Sequence, residues 1–205
     1  PFFLYLSYYS VHTPLQAPKE RVAKYEKKPK GERHKNATYA AMVESVDRSV
    51  GRVMARLEKL GLAKNTVVIF TSDNGGHGRI TSHQPLRGNK GNFYEGGIRV
   101  PLIVKWPGVI KPDSTCKVPV ISTDYYPTLL AMTGQPARPK QHVDGRNLLP
   151  LLKQTGTVKR EALYWHYPNY IGAGHPGGAR PCSVIRSGDW KLIESFETNR
   201  LELFN

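Results

Sequence analysis

The chain has 205 residues, 39% hydrophobic and 22% charged, a balance typical of a globular protein with a sizeable core. No apolar run approaches the length that is needed to span a bilayer, so no membrane-spanning helix is predicted. The net charge of +14 favours acidic partners, such as anionic glycans, nucleic acid or small anions. The two cysteines, Cys116 and Cys182, lack metal-type spacing and neither require nor exclude an oxidising compartment.

The first predicted elements are a strand and a helix on either side of a basic segment. Residues 2–9, FFLYLSYY, are rich in aromatic side chains and predict a buried strand. The lysine-rich residues 19–35 predict a solvated, mobile loop, with a surface for an anionic partner as the alternative. A helix follows, with Asn36 or Thr38 as its N-cap and Gly61 just after its end. Its predicted apolar stripe consists of Val43, Val46, Val50, Val53, Leu57 and Leu60.

The next segments predict an α/β fold. Residues 66–72, TVVIFTS, are apolar at consecutive positions, as in a parallel strand that is covered on both faces. With the first strand and the helix they would form a right-handed βαβ unit. Residues 100–108, VPLIVKWPG, predict a further strand, and residues 124–134 predict a short helix that stops at Gly134.

The sequence changes character at about residue 135. Proline and glycine become frequent, with one short helix predicted around residues 148–152. The stretches ALYWHYP, CSVIRSGDWKLIES and LELFN predict short antiparallel strands with a turn at residues 187–189. The predicted domains are therefore an α/β domain over residues 1–135 and a linker with a small α+β subdomain over residues 136–205.

A polar tetrapeptide, Asp73-Asn74-Gly75-Gly76, follows the strand predicted at residues 66–72. One interpretation is a hairpin turn, for which this composition is favourable, although no matching strand follows it. The other is a ligand pair, because ligands bind at the carboxyl ends of strands in open α/β sheets. A carboxylate and an amide offer only oxygen, which suits Ca²⁺ or Mg²⁺ better than zinc.

Two further segments carry groups that could bind an anion. The loop PLRGNKGNFYEGGIRVP contributes Arg87, Lys90 and Arg99. A lysine on a glycine-rich loop beside a divalent cation can bind a tetrahedral anion and protonate a leaving oxygen, whereas a plain surface loop is the alternative. His12 follows the strand predicted at residues 2–9, so we expect it on the same sheet edge as Asp73.

Other candidates are weaker. The stretch GAGHPG at residues 172–177 matches a dinucleotide-binding pattern by letter, but it does not join a strand to a helix, so we interpret it as a flexible loop. His166 is interpreted as packed or interfacial rather than catalytic. Cys182 lies at the start of a predicted strand and is interpreted as structural.

Several stretches together resemble the arylsulfatase-like sulfatases of the alkaline-phosphatase superfamily, and they run in the family's order along almost the entire chain. The resemblance implies an alkaline-phosphatase-like sheet covered by helices on both faces, with a small C-terminal antiparallel sheet. It also implies hydrolysis of sulfate monoesters at a bound Ca²⁺, with Mg²⁺ as the second choice. The matching stretches are PFFLYLSYYSVHTPL, NTVVIFTSDNGG, PLRGNKGNFYEGGIRVPLIVKWPG, STDYYPTLLAMTG, DGRNLLPLL and IRSGDWKLIE.

The resemblance assigns roles to individual residues. Asp73 and Asn74 look like two of the metal ligands, and Lys90 looks like the lysine that contacts the sulfate and the ester oxygen. His12 looks like the histidine that binds sulfate and assists departure of the leaving group. His166 falls loosely where family members build substrate pockets, so a substrate-binding role is carried over to it.

The chain also departs from the family pattern, because it contains no C/S-x-P-x-R motif, whose Cys or Ser becomes the formylglycine nucleophile. The first pair of metal-ligand aspartates is missing too. We therefore expect a C-terminal portion of a sulfatase, with the nucleophile in the missing N-terminal part, that is inactive alone and holds its cation weakly.

The resemblance implies a sulfated small molecule or glycan as substrate, and a periplasmic, secreted or lysosomal location. Nucleic acid is not expected as a partner, because no recognition motif accompanies the basic residues. Two alternatives remain: a phosphatase or phosphodiesterase of the same superfamily, and a non-catalytic anion-binding module that uses residues 19–35.

Overall fold

The computed structural model describes residues 1–170 and 179–205, so the stretch GAGHPG at residues 172–177 lies outside the described residues. The described residues form two compact units. The first contains Pro1–Thr66 and Thr71–Leu102, and the second contains Val67–Phe70, residues 103–170 and Ala179–Asn205. No helix among the described residues has the length and apolarity needed to cross a bilayer.

The longest helix of the first unit, α2 (Ala37–Lys59), begins and ends where the sequence predicts. The Asn36 side chain caps it by accepting a hydrogen bond from the Tyr39 backbone N–H at 2.9 Å. Gly61 follows the helix with a φ of 68°, the left-handed conformation that terminates helices. Both capping predictions are therefore confirmed.

The covered face of α2 follows the predicted stripe from Val46 to Leu57 and differs from it only at the two ends. Ala41, Met42 and Leu57 are buried, whereas Val43 is 47% exposed and Leu60 is 49% exposed. Polar neighbours cover the helix at positions outside the stripe, since Tyr8 Oη donates to Ser49 Oγ at 2.9 Å. The hydrophobic period predicts the position of the helix, whereas contacts with neighbouring segments decide how far each end of the stripe is covered.

The basic segment at residues 19–35 was predicted to be a mobile loop, and this is wrong for its first half, which forms helix α1 (Lys19–Glu26). Pro18 precedes the helix, where a missing N–H costs nothing. Lys24 Nζ lies 2.9 Å from Glu44 Oε2 of α2, and Arg21 Nη1 donates to Ser45 Oγ at 2.6 Å. Paired and hydrogen-bonded cations order this segment.

The buried strand predicted at residues 2–9 is also wrong in this structure, because the segment has no strand structure. Phe3 is 76% exposed and Tyr5 is 81% exposed. A strand needs a hydrogen-bonding neighbour, and among the described residues none of the six strands pairs with this segment. The predicted βαβ unit consequently does not form within the described residues.

The remaining strands match the predicted positions. Strand β1 (Val68–Thr71) pairs with β2 (Leu102–Lys105) in a two-stranded sheet, and the one-turn helix α3 (Glu95–Ile98) lies between them in sequence. In the second unit, α4 (Tyr125–Met132) ends near Gly134, whose φ is 68°, and α5 (Leu149–Leu152) follows. Both short helices were predicted from the sequence.

The predicted C-terminal antiparallel sheet is confirmed, with four strands in the order β3-β4-β5-β6. Ser187 pairs with Trp190, so Gly188 and Asp189 form the predicted turn, and Gly188 has a positive φ of 55°. Val184 and Ile193 face each other across the sheet and are buried. The strands are β3 (Leu163–Tyr167), β4 (Cys182–Ser187), β5 (Trp190–Ser195) and β6 (Leu201–Phe204).

A buried carboxylate, which the sequence analysis did not anticipate, organises the second unit. The Asp124 side chain is fully buried and accepts hydrogen bonds from the backbone N–H groups of Ile121 at 2.9 Å and Arg146 at 2.8 Å. The Arg160 guanidinium binds the same carboxylate with both terminal nitrogens. Both oxygens of this carboxylate accept hydrogen bonds from residues far apart in sequence. These bonds account for the order of the linker region.

Candidate active site

Asp73 and Asn74 lie immediately beyond the carboxyl end of β1, as the sequence predicts. Asp73 is exposed, Asn74 is half-buried, and the Asn74 Nδ2 group contacts Asp73 Oδ2 directly. The next strand along the chain is β2, which begins only at Leu102, so the hairpin interpretation of this tetrapeptide is excluded. The two side chains form a neighbouring carboxylate and amide at the end of a strand.

Gly75 fits its loop closely against a second backbone segment. Its N–H donates to the carbonyl oxygen of Gly97 at 2.8 Å, and a Cβ added at Gly75 would lie 1.9 Å from the carbonyl oxygen of Gly96. No real side chain can occupy that space. The absence of a side chain at Gly75 therefore lets its loop approach the backbone of Gly96 and Gly97 closely.

A backbone hydrogen bond joins the loop of Asp73 and Asn74 to the loop of Lys90. The Lys90 N–H donates to the carbonyl oxygen of Gly76 at 3.0 Å, and Lys90 is half-buried. Gly76 is only two residues beyond Asn74, so the lysine backbone lies against the segment that carries the predicted ligand pair. The structure therefore brings together three of the residues singled out from the sequence.

The three cations of this glycine-rich loop are not equivalent. Arg87 lies over the ring of Tyr94, 3.9 Å from its centroid, and also donates to the Tyr94 hydroxyl at 3.1 Å. Arg99 forms an ion pair with Glu95 at 3.8 Å. Among the described residues, Lys90 has no carboxylate partner, so its ammonium is the one that remains available for an anionic ligand.

His12 is exposed and makes its contacts within its own loop. Its Nδ1 lies 2.7 Å from the carbonyl oxygen of Thr13, and its ring packs edge-on against Tyr9 with the centroids 5.7 Å apart. Because a carbonyl can only accept, Nδ1 carries the proton and Nε2 is the acceptor of the neutral ring. The strand expected to bring His12 near Asp73 does not form, so that proximity stays a prediction.

His166 belongs to the second unit and lies on β3. Its Nδ1 is 3.0 Å from Ser183 Oγ on β4, and its ring lies 5.6 Å from that of Phe196. His166 is exposed, so these are the contacts of a surface histidine on the C-terminal sheet. A substrate-binding role for His166 therefore stays a prediction that rests on the family resemblance.

The two cysteines are both free, which agrees with their lack of metal-type spacing. Cys182 is buried, and burial raises the pKa of its thiol because the thiolate would lose its hydration. A buried thiol with a raised pKa is a poor nucleophile. The structural interpretation of Cys182 accords with this environment.

His83 is a site residue that the sequence analysis missed. Its Nε2 accepts a hydrogen bond from the Gly76 N–H at 2.7 Å and so supports the loop of the ligand pair. Burial, and secondarily the nearby His34, lower the pKa of His83 below its ordinary value of 6.5. A lone histidine in a polar loop carries no motif, so only the folded structure reveals this contact.

The donors that this chain supplies fit a hard cation. A carboxylate oxygen and an amide oxygen at the end of one strand match the oxygen coordination of Ca²⁺, and no imidazole or thiolate shares the position. Within the described parts of the chain, no three His, Cys, Asp or Glu side chains come together as a complete set of ligands. A metal-ligand role for Asp73 and Asn74 stays a prediction.

A carboxylate and an amide at the end of one strand, joined by a backbone hydrogen bond to a lysine on a glycine-rich loop, are groups of the kind found in metal-assisted hydrolases of anionic esters. Comparison with known families agrees with this class. The sulfatase family model matches residues 1–135, and the model for the C-terminal region of N-sulphoglucosamine sulphohydrolase matches residues 88–205. The chain belongs to the sulfatase family.

Two curated relatives illustrate the extent of the similarity. A sulfatase from Formosa agariphila is 40% identical over 100% of this chain and 40% of its own length. The steryl-sulfatase of Rattus norvegicus is 37% identical over 84% of this chain and 30% of its own length. The chain thus spans well under half the length of the relatives that it matches.

Two solved structures show the same fold. Ps i-CgsB in complex with k-i-k-neocarrahexaose is 34% identical, with a TM-score of 0.83, and the match covers 100% of this chain and 43% of that one. A second protein, solved in complex with its substrate D-glucosamine-2-N,6-O-disulfate, is 29% identical with a TM-score of 0.68. That match covers 91% of this chain and 38% of the other.

Proposed function

We propose that this chain supplies the carboxylate–amide ligand pair and the anion-binding lysine of a sulfatase that hydrolyses sulfate monoesters. The observation that carries the proposal is the backbone hydrogen bond from Lys90 to Gly76, 3.0 Å long, which joins the lysine loop to the ligand-pair loop. Membership of the sulfatase family supports the reaction type. The activity would belong to the intact protein, because the relatives are more than twice as long as this chain.

Asp73 and Asn74 would hold Ca²⁺ through their side-chain oxygens, with Mg²⁺ as the second choice. The bound cation would offset the negative charge of the sulfate group. Turning the Asn74 amide so that Oδ1 joins the Asp73 carboxylate would replace the present amide–carboxylate contact with two oxygens on one side. The remaining oxygen ligands would come from other parts of the protein.

Lys90 and His12 would act on the substrate itself. The Lys90 ammonium, unpaired with any carboxylate in the described residues, would bind the sulfate oxygens and the bridging ester oxygen. With both ring nitrogens protonated, His12 would donate its Nε2 proton to the departing oxygen, while the Thr13 carbonyl continues to accept from Nδ1. That carbonyl also fixes the orientation of the ring as the proton moves.

Two further parts of the proposal concern the intact protein. Because the chain contains no C/S-x-P-x-R motif, the formylglycine nucleophile would lie elsewhere in the intact protein. Residues 1–135 would belong to the catalytic domain, and residues 136–205 would form a linker and C-terminal subdomain that contributes His166 to the substrate pocket. By family resemblance, the protein would work in the periplasm, outside the cell or in a lysosome.

The test is Lys90→Ala in the intact protein, with 4-nitrophenyl sulfate as substrate. Loss of a cation that stabilises the sulfate and the leaving oxygen should lower kcat/KM by roughly 10²–10⁴-fold. The melting temperature should stay close to that of the wild type, because the Lys90 side chain makes no ion pair with the described residues. Steady-state kinetics and thermal unfolding measure the two effects.

The matched control is Lys64→Ala, which removes an exposed lysine from a surface turn of the same unit. Its turnover should stay within twofold of wild type. Turnover near the wild-type value in Lys90→Ala would contradict the proposed role. Hydrolysis of 4-nitrophenyl phosphate that depends on Zn²⁺, without any response to Ca²⁺, would instead favour the phosphatase alternative.

A further inference from the structure

A cleft of about 650 Å³ opens in the first unit, beside the loop that joins the ligand pair to Lys90. One wall is formed by Arg33, Lys35 and Asn36, just before α2. The other wall is the segment of residues 78–89, which lies between Gly76 and Lys90 in sequence. A space of this size accommodates an ordinary small-molecule ligand or about two sugar rings.

Hydrogen bonds hold the two walls together. Arg33 Nη1 donates to the carbonyl oxygen of Gln84 at 3.3 Å, and His34 Nδ1 lies 3.1 Å from Thr81 Oγ1. The Asn36 wall is anchored because this residue caps α2. The cleft is therefore built by specific contacts between segments about 50 residues apart.

The opposite wall is anchored to the proposed active site. His83 accepts from the Gly76 N–H at 2.7 Å, and the Lys90 N–H donates to the Gly76 carbonyl oxygen. The middle of the 78–89 segment, at His83, and the residue that follows the segment, Lys90, are thus both tied to Gly76. A ligand in the cleft would lie against the same loop that carries the proposed catalytic lysine.

The charge of the cleft is of one sign. Four basic residues line it and no acidic residue does. Arg87 is engaged with Tyr94, and Arg33 reaches across to Gln84. Lys35 and Arg79 are exposed and have no carboxylate partner among the described residues. Two uncompensated cations on opposite walls are the arrangement that an anionic group would neutralise.

We propose that this cleft is an accessory subsite for a second sulfate group, carried by a neighbouring sugar of a multiply sulfated glycan. The inference rests on the proposed function, because it places the first sulfate at Lys90. The names of relatives include both steroid and sugar substrates, and the cleft favours sugar. Its lining is predominantly polar, with Ile80 and Leu86 as the only large apolar residues among those described.

The probe is sucrose octasulfate, a small molecule with closely spaced sulfates, bound to the intact protein and measured by calorimetry. Lys35→Ala/Arg79→Ala should weaken its binding by at least tenfold, because both uncompensated cations are lost. The control is Lys27→Ala/Lys30→Ala, which removes the same charge from exposed positions outside the cleft and should change binding by less than twofold. Unsulfated sucrose should not bind detectably.

Equal losses in the two double variants would overturn the subsite, because the effect would then report net charge alone. Unchanged binding in Lys35→Ala/Arg79→Ala would overturn it too. The subsite would also be overturned if a 20-nucleotide DNA strand bound more tightly than the octasulfate and if the same double variant weakened the binding of that DNA. Lys35→Glu alone should weaken octasulfate binding further than Lys35→Ala, which provides a second variant if the double one does not fold.

Binding is measured without turnover, so this test is independent of the kinetic one. If substitutions in the cleft abolished octasulfate binding while Lys90→Ala kept wild-type turnover, the proposed function would be contradicted, but an anion site in the cleft would be supported. Lys90-dependent turnover with cleft-independent octasulfate binding would leave the sulfatase proposal intact and overturn the accessory subsite.

Discussion

At the scale of single residues, the site is distinguished by which polar groups are already committed. Arg87 and Arg99 are engaged with Tyr94 and Glu95, whereas Lys90 has no carboxylate partner among the described residues, which supports the substrate-binding role proposed for it. The sequence provides all three cations but not their partners. This is why sequence reasoning found Lys90 only together with two other candidates, and needed family resemblance to choose.

The pKa of His83 leads to a prediction about pH. Burial and His34 lower this pKa, so the folded protein resists protonation of a ring whose Nε2 must stay unprotonated to accept from Gly76. Above the ordinary pKa of about 6.5 the ring is neutral in both the folded and unfolded states. Below it the unfolded state binds the proton first, so stability falls as pH drops through the folded pKa of His83.

We therefore expect the melting temperature of His83→Gln to fall less than that of the wild type when the pH is lowered from 7.5 to 5. The reason is that glutamine can accept a hydrogen bond from the Gly76 N–H without titrating. Thermal unfolding at both pH values gives the comparison. His34→Gln removes only the secondary cause, so its pH dependence should lie between the other two. Arg33 and Arg79 line the same cleft. Identical pH dependence in His83→Gln and wild type would refute this role.

At the scale of elements, the sequence predicted what depends on local pattern. The N-cap at Asn36, the left-handed glycine at Gly61 and the turn at Gly188 follow from backbone rules that act within a few residues. The exposure of the ends of the α2 stripe and the helical structure of α1 depend on contacts between segments, such as that of Lys24 with Glu44. No local periodicity in the sequence reveals such contacts. The joining of the ligand-pair loop to the lysine loop is likewise a long-range contact.

That joining is tested by Gly75→Ala. An added methyl group would collide with the Gly96 carbonyl oxygen, so the two loops must separate. We expect a loss of about 1–3 kcal/mol in stability, as for other overpacked sites. Sulfatase activity should fall as well, since the ligand pair would move relative to Lys90. Chemical denaturation and kinetics on the intact protein measure both.

The matched control for this substitution is Gly51→Ala. Gly51 lies inside α2, and a Cβ there would meet no atom within 4 Å. Alanine should therefore stabilise the helix by about 0.5–1 kcal/mol without affecting activity. A Gly75→Ala protein as stable and active as this control would show that the close approach at Gly75 is not needed.

At the scale of the whole molecule, the most unusual feature is the exposure of the apolar N-terminal segment. Phe2, Phe3, Leu4, Tyr5 and Leu6 are all between 48% and 81% exposed, an apolar run that soluble proteins seldom leave in water. Its pattern predicts a buried strand, and the match with the curated relative from Formosa agariphila covers only 40% of that relative's length. The conflict between pattern and structure is resolved if other segments of the intact protein cover residues 2–9.

We expect hydrogen exchange to show this in the intact protein. Backbone amides of residues 2–9 should exchange slowly, as in a paired interior strand, because ladder hydrogen bonds and burial both protect them. The peptide covering residues 42–57 of α2 provides the protected reference, and the exposed residues 111–119 provide the unprotected one. If residues 2–9 exchange as fast as residues 111–119, no strand forms there. His12 would then lack the rigid support that its proposed role beside Asp73 and Lys90 requires.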